Sequence, residues 1–137
     1  MRPEGLRVRD FMKRDVLTVR SDTDIMRAVR LFIEHDVSGL PVLDPAGELV
    51  GMLTERDCIR TALQAGYHDE EAGTVERYMS SPVRSMLPDD GLLDVAEFFA
   101  ESTMHRCPVV EDGHLVGLIS RRDVLRALTE GAWFARR

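Results

Sequence analysis

At 137 residues the chain is about one domain long and can bury a substantial core, which excludes a short disulfide- or metal-dependent scaffold. Hydrophobic residues make up 44% of it and charged residues 31%, a balance that excludes an intrinsically disordered chain. Lysine and arginine number 18 against 24 acidic residues, and the net charge of −6 argues against general nucleic-acid binding or adhesion to an anionic membrane.

The first predicted element is a short helix around Asp10–Met12, followed by a strand at Val16–Val19, where β-branched residues are common. Ser21, Asp22, Thr23 and Asp24 suit a helix N-terminus, and Ile25, Ala28, Val29, Phe32 and Ile33 follow at helical spacing. A short apolar strand, "LPVLD", a turn carrying Gly47 and a second strand, "LVGML", make a hairpin. The next helix begins near Thr54 and carries Ile59 and Leu63. "AGYHDEEAGT" (Ala65–Thr74) has glycine punctuation and three successive acids, and reads as a solvated linker or a helix extension.

The same elements then return. "VERYMSSPVRSM" aligns with "VRDFMKRDVLTV", which sets Tyr78 on Phe11 and Met79 on Met12. Leu92, Val95, Ala96, Phe99 and Ala100 repeat the helical stripe, and "CPVVE", Gly113 and "LVGLI" repeat the hairpin. The last helix begins near Ser120 and carries Leu125 and Leu128. Over Gly47–Arg60 set against Gly113–Arg126, seven of fourteen positions are identical. The order is therefore β-α-β-β-α, twice, an α/β (α+β) fold. Its boundaries are residues 1–64 for the first repeat, 65–74 for the linker, 75–130 for the second repeat and 131–137 for the tail. One repeat alone leaves a large apolar face uncovered, so the two are expected to pack face to face with pseudo-twofold symmetry, which makes two equivalent clefts. In the tail, Trp133 and Phe134 suit a domain edge or a dimer seam better than a ligand site.

Cys58 and Cys107 occupy apolar slots of the repeat and are expected to be buried, inert thiols. The four histidines show no ligand spacing, so no metal site is expected. No apolar run approaches the roughly 18–20 residues of a membrane span, and "MRPEGLRVRD" lacks the apolar centre of a signal peptide. A cytoplasmic location follows as the expectation.

Each repeat places a hydroxyl three residues before an aspartate: Thr54-x-x-Asp57 and Ser120-x-x-Asp123. One reading is a capping device, with the acid welcome at the positive end of the helix. A cap does not require Asp over Glu, nor does it explain Gly51 and Gly117 three residues upstream, where backbone could approach a ligand closely. The other reading is binding: a short carboxylate at a helix start accepts hydrogen bonds from two ribose hydroxyls, and the helix N-terminus and hydroxyl offer donors to phosphate. The two are compatible.

"DFMKRDVLTV", "HDVSGLPVLD" and "GELVGMLTERD", with their partners "RYMSSPVRSM", "MHRCPVVED" and "GHLVGLISRRD", resemble tandem cystathionine-β-synthase (CBS) domains, the pair called a Bateman module. The resemblance covers Val8 to Leu128 and implies the same β-α-β-β-α fold. It also implies binding of AMP, ADP, ATP or S-adenosylmethionine in the inter-repeat clefts, with Asp57 and Asp123 holding ribose. Each cleft would borrow its base-contacting wall from the other repeat: Leu17 and Val37-Ser38-Gly39 for Asp123, Arg84 and Met104-His105-Arg106 for Asp57. His105-Arg106 also resembles a phosphate-contacting pair of the family; the alternative for Arg106 is a surface charge beside a strand.

No catalytic domain fits: the repeats leave about seven N-terminal and nine C-terminal residues, and no Ser-His-Asp order or phosphate loop appears. The leading expectation is a stand-alone, non-enzymatic regulator that needs no cofactor, binds an adenosine-containing ligand and signals to an unidentified protein partner. A ligand-free dimeric interaction scaffold is the alternative, and an enzyme acting on its nucleotide a third. A homodimer is expected, because the apolar positions exceed what one contact between repeats can cover, and related pairs join through helices. Phosphate is expected to prefer the Asp123 cleft, where Ser120, Arg121, Arg122, His105 and Arg106 gather. The Asp57 cleft offers Thr54 and Arg56, with Glu55 in place of one arginine.

Overall fold

The computed structural model describes residues 5–68 and 72–130. Trp133 and Phe134, and the acidic run 69–71, lie outside the described residues. Among the described residues eleven elements follow one another: α1 (Val8–Phe11), β1 (Val19–Arg20), α2 (Ile25–His35), β2 (Gly39–Leu43), β3 (Leu49–Thr54), α3 (Glu55–His68), α4 (Val75–Tyr78), α5 (Leu92–Glu101), β4 (Arg106–Glu111), β5 (His114–Ser120) and α6 (Arg121–Glu130).

These elements gather into two units that are offset from the sequence repeats. One unit takes the chain up to Val16 together with everything from Arg84 onward; the other is Leu17–Val83. The first helix of each repeat thus joins the strands of the other. We refer to them as the Asp123 unit and the Asp57 unit.

In the Asp57 unit, β1 runs parallel to β2 through Val19↔Val42 and Arg20↔Leu43, and β2 pairs antiparallel with β3. The first strand is shorter than expected and lies later, because Ser21 donates to the Leu43 carbonyl and the chain then turns into the helix cap. Asp24 caps α2 by accepting the Met26 N–H at 3.1 Å. Ile25, Ala28 and Phe32 face a core that also holds Val19, Leu40, Val42, Leu53, Cys58, Val75 and Tyr78. Ile33, expected on the same stripe, is 76% exposed. It lies one residue, about 100°, beyond Phe32 on the helix and so points away.

In the Asp123 unit, β4 and β5 form an antiparallel pair closed by Asp112-Gly113. Both residues have positive φ, 52° and 81°, the mirror-image turn that suits a two-residue hairpin. The counterpart of β1 is a single parallel bridge, Met86↔Val109. Leu6, Val8, Met12, Leu92, Val95, Phe98, Phe99, Cys107, Val109, Ile119, Val124 and Ala127 make the core. Phe98 rather than the expected Ala100 completes the α5 face, with its ring edge-on to Phe99 at 5.2 Å.

The closing helices present a different face from the one expected. Cys58 points inward on α3, while Ile59 and Leu63 are 64% and 60% exposed. On α6 Val124 and Ala127 point inward and the expected Leu128 packs partly buried against the same core, whereas Leu125 is exposed. Both thiols are free and buried, as expected. Burial pushes the Cys107 thiol up to about 12 and, with Asp57 and Glu55 nearby, the Cys58 thiol up to about 11.

Gly51 and Gly117 serve a close approach, but the approaching group is the protein's own. A Cβ on Gly117 would stand 2.5 Å from Met12 Sδ and 2.9 Å from the Lys13 carbonyl oxygen; on Gly51 it would stand 2.5 Å from Met79 Sδ and 3.0 Å from the Ser80 carbonyl oxygen. Lys13 forms an antiparallel bridge with Leu118, and Ser80 forms the same bridge with Met52. Backbone oxygen cannot move aside as a side chain can. Gly117→Ala is therefore expected to lower unfolding free energy by about 1–3 kcal/mol, the usual range for overpacking, as read from urea denaturation. A loss below about 0.5 kcal/mol, the scale of an ordinary surface change, would contradict this packing.

Candidate functional site

The two hydroxyl-x-x-Asp motifs stand where the second hairpin strand of each unit runs directly into a helix: β3 into α3, and β5 into α6. The first helical N–H of each helix is met from the same unit. Glu55 N donates to the Ser38 carbonyl at 3.1 Å, and Arg121 N to the His105 carbonyl at 3.0 Å. Ser38 and His105 are thus brought beside Asp57 and Asp123 respectively, through their backbones.

At the Asp123 corner the cap is reciprocal. Asp123 N donates to Ser120 Oγ at 3.2 Å, while Ser120 N and Ser120 Oγ both donate to Asp123 Oδ2 at 2.9 Å. The side chain is 1% exposed, and its other oxygen, Oδ1, faces two cations: Arg126 Nη1 at 3.2 Å and Lys13 Nζ at 3.5 Å. A charged side chain this deep is buried at modest cost only when it is paired and hydrogen-bonded, and both conditions are met here.

The Asp57 corner is wired more lightly. Asp57 N donates to Thr54 Oγ1 at 3.1 Å, and Ser80 Oγ donates to Asp57 Oδ2 at 3.3 Å. The residue is half-buried, and among the described residues no cation stands within ion-pair distance of it.

The remaining candidates divide between the units. Leu17, Val37, Ser38, Gly39, Thr54 and Arg56 belong to the Asp57 unit; Arg84, Met104, His105, Arg106, Ser120, Arg121 and Arg122 belong to the Asp123 unit. Arg121, expected to face phosphate, is turned back instead. Its Nε and Nη2 donate to the Met104 and Ser102 carbonyls, each at 2.9 Å, because the preceding loop leaves those oxygens unpaired by any strand. Arg84 lays its guanidinium over the Phe98 ring at 4.6 Å. Arg122 and Arg56 are exposed on the first turns of their helices, and His105 is exposed. Lys13, Ser80 and Arg126 escaped the sequence reading. The repeat alignment does place Lys13 opposite Ser80, directly after the paired methionines, and that equivalence was the available signal. Among the described residues no helix is long and apolar enough to cross a membrane, and no group of three or more His, Cys, Asp or Glu could hold a metal ion.

Comparison with known proteins returns one family. The model of the CBS domain matches twice, at residues 8–63 and 75–130. The CBS domain-containing protein YhcV of Bacillus subtilis is 34% identical over 118 residues, spanning 85% of this chain and 81% of that protein. Three other curated relatives are longer, and the chain spans between 24% and 42% of their length. Among solved structures, CBSX2 of Arabidopsis thaliana in complex with AMP superposes with a TM-score of 0.81 at 30% identity, covering 97% of this chain and 100% of that one. A CBS domain pair in complex with 5-methylthioadenosine and S-adenosyl-L-methionine gives 0.76 at 28% identity, covering 91% and 97%.

Proposed function

The chain belongs to the CBS-domain family, carrying two such domains, and from that premise we propose that it is a regulatory protein that binds an adenosine-containing ligand and passes the bound state to a protein partner. The observation that carries the reading is the buried Asp123 side chain, held by its own cap and two cations at the start of α6, with Asp57 held in lighter form at the start of α3. A carboxylate there can accept both hydroxyls of a ribose, and the helix N-terminus adds a positive field for phosphate. Solved relatives that hold AMP, 5-methylthioadenosine or S-adenosylmethionine point to the same ligand class.

In this proposal Asp123 and Asp57 hold ribose, Arg122, His105 and Arg106 serve phosphate, and Leu17, Val37, Ser38, Gly39, Arg84 and Met104 serve the base. The role is recognition without a chemical step on the ligand. AMP titrated calorimetrically into wild type and Asp123→Ala is expected to show a loss of about 1.5–3 kcal/mol, the range for hydrogen bonds to a charged group. The variant also loses its cap, worth about 1 kcal/mol of stability, so its folded fraction is fixed first by denaturation. Unchanged affinity in the folded variant would reduce the motif to a cap; no binding of any adenosine ligand by wild type would favour the scaffold alternative.

The proposal includes a homodimer. Ile33 on α2 with Ile59 and Leu63 on α3 leave large apolar side chains in water on one unit, and Leu125 does so on the other. A C2 pair would bury such a surface against its own copy. Light scattering at micromolar concentration is expected to give about twice the chain mass of 15.5 kDa; the single-chain mass would contradict it.

A further inference from the structure

Lys13 and Ser80 occupy the same place in the two repeats. Each follows a methionine packed on a glycine, each is bridged to the strand that leads into a hydroxyl-x-x-Asp corner, and each reaches the aspartate of that corner. One delivers a positive charge and the other a neutral hydroxyl. The difference falls on the oxygen that matters. Asp123 Oδ2 is taken by two donors of its own cap, so Oδ1, shared by Arg126 and Lys13, is the oxygen on which an incoming ribose hydroxyl can replace a partner. Lys13 holds Oδ1 at 3.5 Å with a side chain 63% exposed. An ion pair with one partner so exposed is weak and opens readily, while Arg126, at 3.2 Å, keeps the buried carboxylate partnered when the lysine leaves.

We propose that Lys13 is a specificity-determining residue of the Asp123 corner, selecting adenosine ligands that carry phosphate over the uncharged nucleoside, and that Ser80 leaves the Asp57 corner without that selection. The inference rests on the proposed ribose role of the aspartates. Ribose hydroxyls that approach Oδ1 displace the ammonium from its carboxylate. A phosphate on the same ligand gives the ammonium a new anion, whereas a plain nucleoside breaks the ion pair and returns nothing. At the Asp57 corner the displaced group is a hydroxyl, which water satisfies equally well, so a ligand's phosphate brings no comparable gain there. Position 13 or 80 therefore reads ligand charge, while the aspartate reads ribose.

The test titrates AMP and adenosine separately into wild type, Lys13→Met, Lys13→Arg and the exchanged pair Lys13→Ser/Ser80→Lys. Asp57→Ala or Asp123→Ala is added to each background to assign the corner. Lys13→Met is expected to reduce the preference for AMP over adenosine at the Asp123 corner by about tenfold, and Lys13→Arg to keep it. The exchanged pair is expected to move the AMP preference to the Asp57 corner. A lysine that merely shapes the corner would change both affinities together and leave their ratio alone. An unchanged ratio in Lys13→Met, with AMP binding at that corner still weakened by Asp123→Ala, overturns this inference and leaves the ribose reading standing. AMP affinity that Asp123→Ala leaves unchanged in the Asp57→Ala background overturns the ribose reading and this inference with it.

Discussion

A methionine sulfur pressed onto a glycine, with the next residue hydrogen-bonded across to the same strand, is the contact on which each unit is organised. Met12 meets Gly117 and Met79 meets Gly51, and in both cases any Cβ would collide with sulfur and with a backbone oxygen. The contact draws α1 into the Asp123 unit and α4 into the Asp57 unit, against the direction of the repeat. Leu6, Val8 and Met12 come with the first segment into the Asp123 core, and Val75 and Tyr78 come with the second into the Asp57 core. At roughly 1.5–3 kcal/mol for each fully buried large apolar side chain, those segments contribute a substantial part of each unit's stability. Neither repeat owns a complete core, which is a physical reason for the sequence to be written twice in one chain.

The same contact sets the electrostatics of the two corners. Because Lys13 and Ser80 are fixed by backbone bridges, their side chains start from equivalent points and differ only in chemistry. Asp123 ends with four donors at its two oxygens and Asp57 with one hydroxyl, although their local motifs are nearly identical. Capping and binding are not rival explanations here. The cap uses Oδ2 of Asp123 and leaves Oδ1 to Arg126 and Lys13, so the helix start that stabilises α6 also positions the other oxygen.

Much of this was legible in the chain because it rests on short-range rules. The Asp112-Gly113 hairpin, the α2 face of Ile25, Ala28 and Phe32, the buried cysteines and the paired hydroxyl-x-x-Asp motifs all depend on residues a few positions apart. The faces of α3 and α6 were displaced, because adjacent apolar residues such as Cys58-Ile59 and Val124-Leu125 leave a short helix free to be phased either way. The structure phases them by the corner that starts the helix. Lys13 was not legible as a partner of Asp123, since nothing local links position 13 to Leu118. Arg121 was assigned to phosphate because a helix-start arginine can reach forward or back, and only the loop carbonyls of Ser102 and Met104 decide which.

The central claim is that the aspartates at the starts of α3 and α6 are ribose acceptors as well as caps. A crystal structure of the wild-type chain grown with AMP tests it most directly. The account predicts ribose hydroxyls within hydrogen-bonding distance of the Asp123 carboxylate, with Lys13 moved off Oδ1. AMP bound away from both aspartates, with Asp123 still held by Ser120, Lys13 and Arg126, would contradict it.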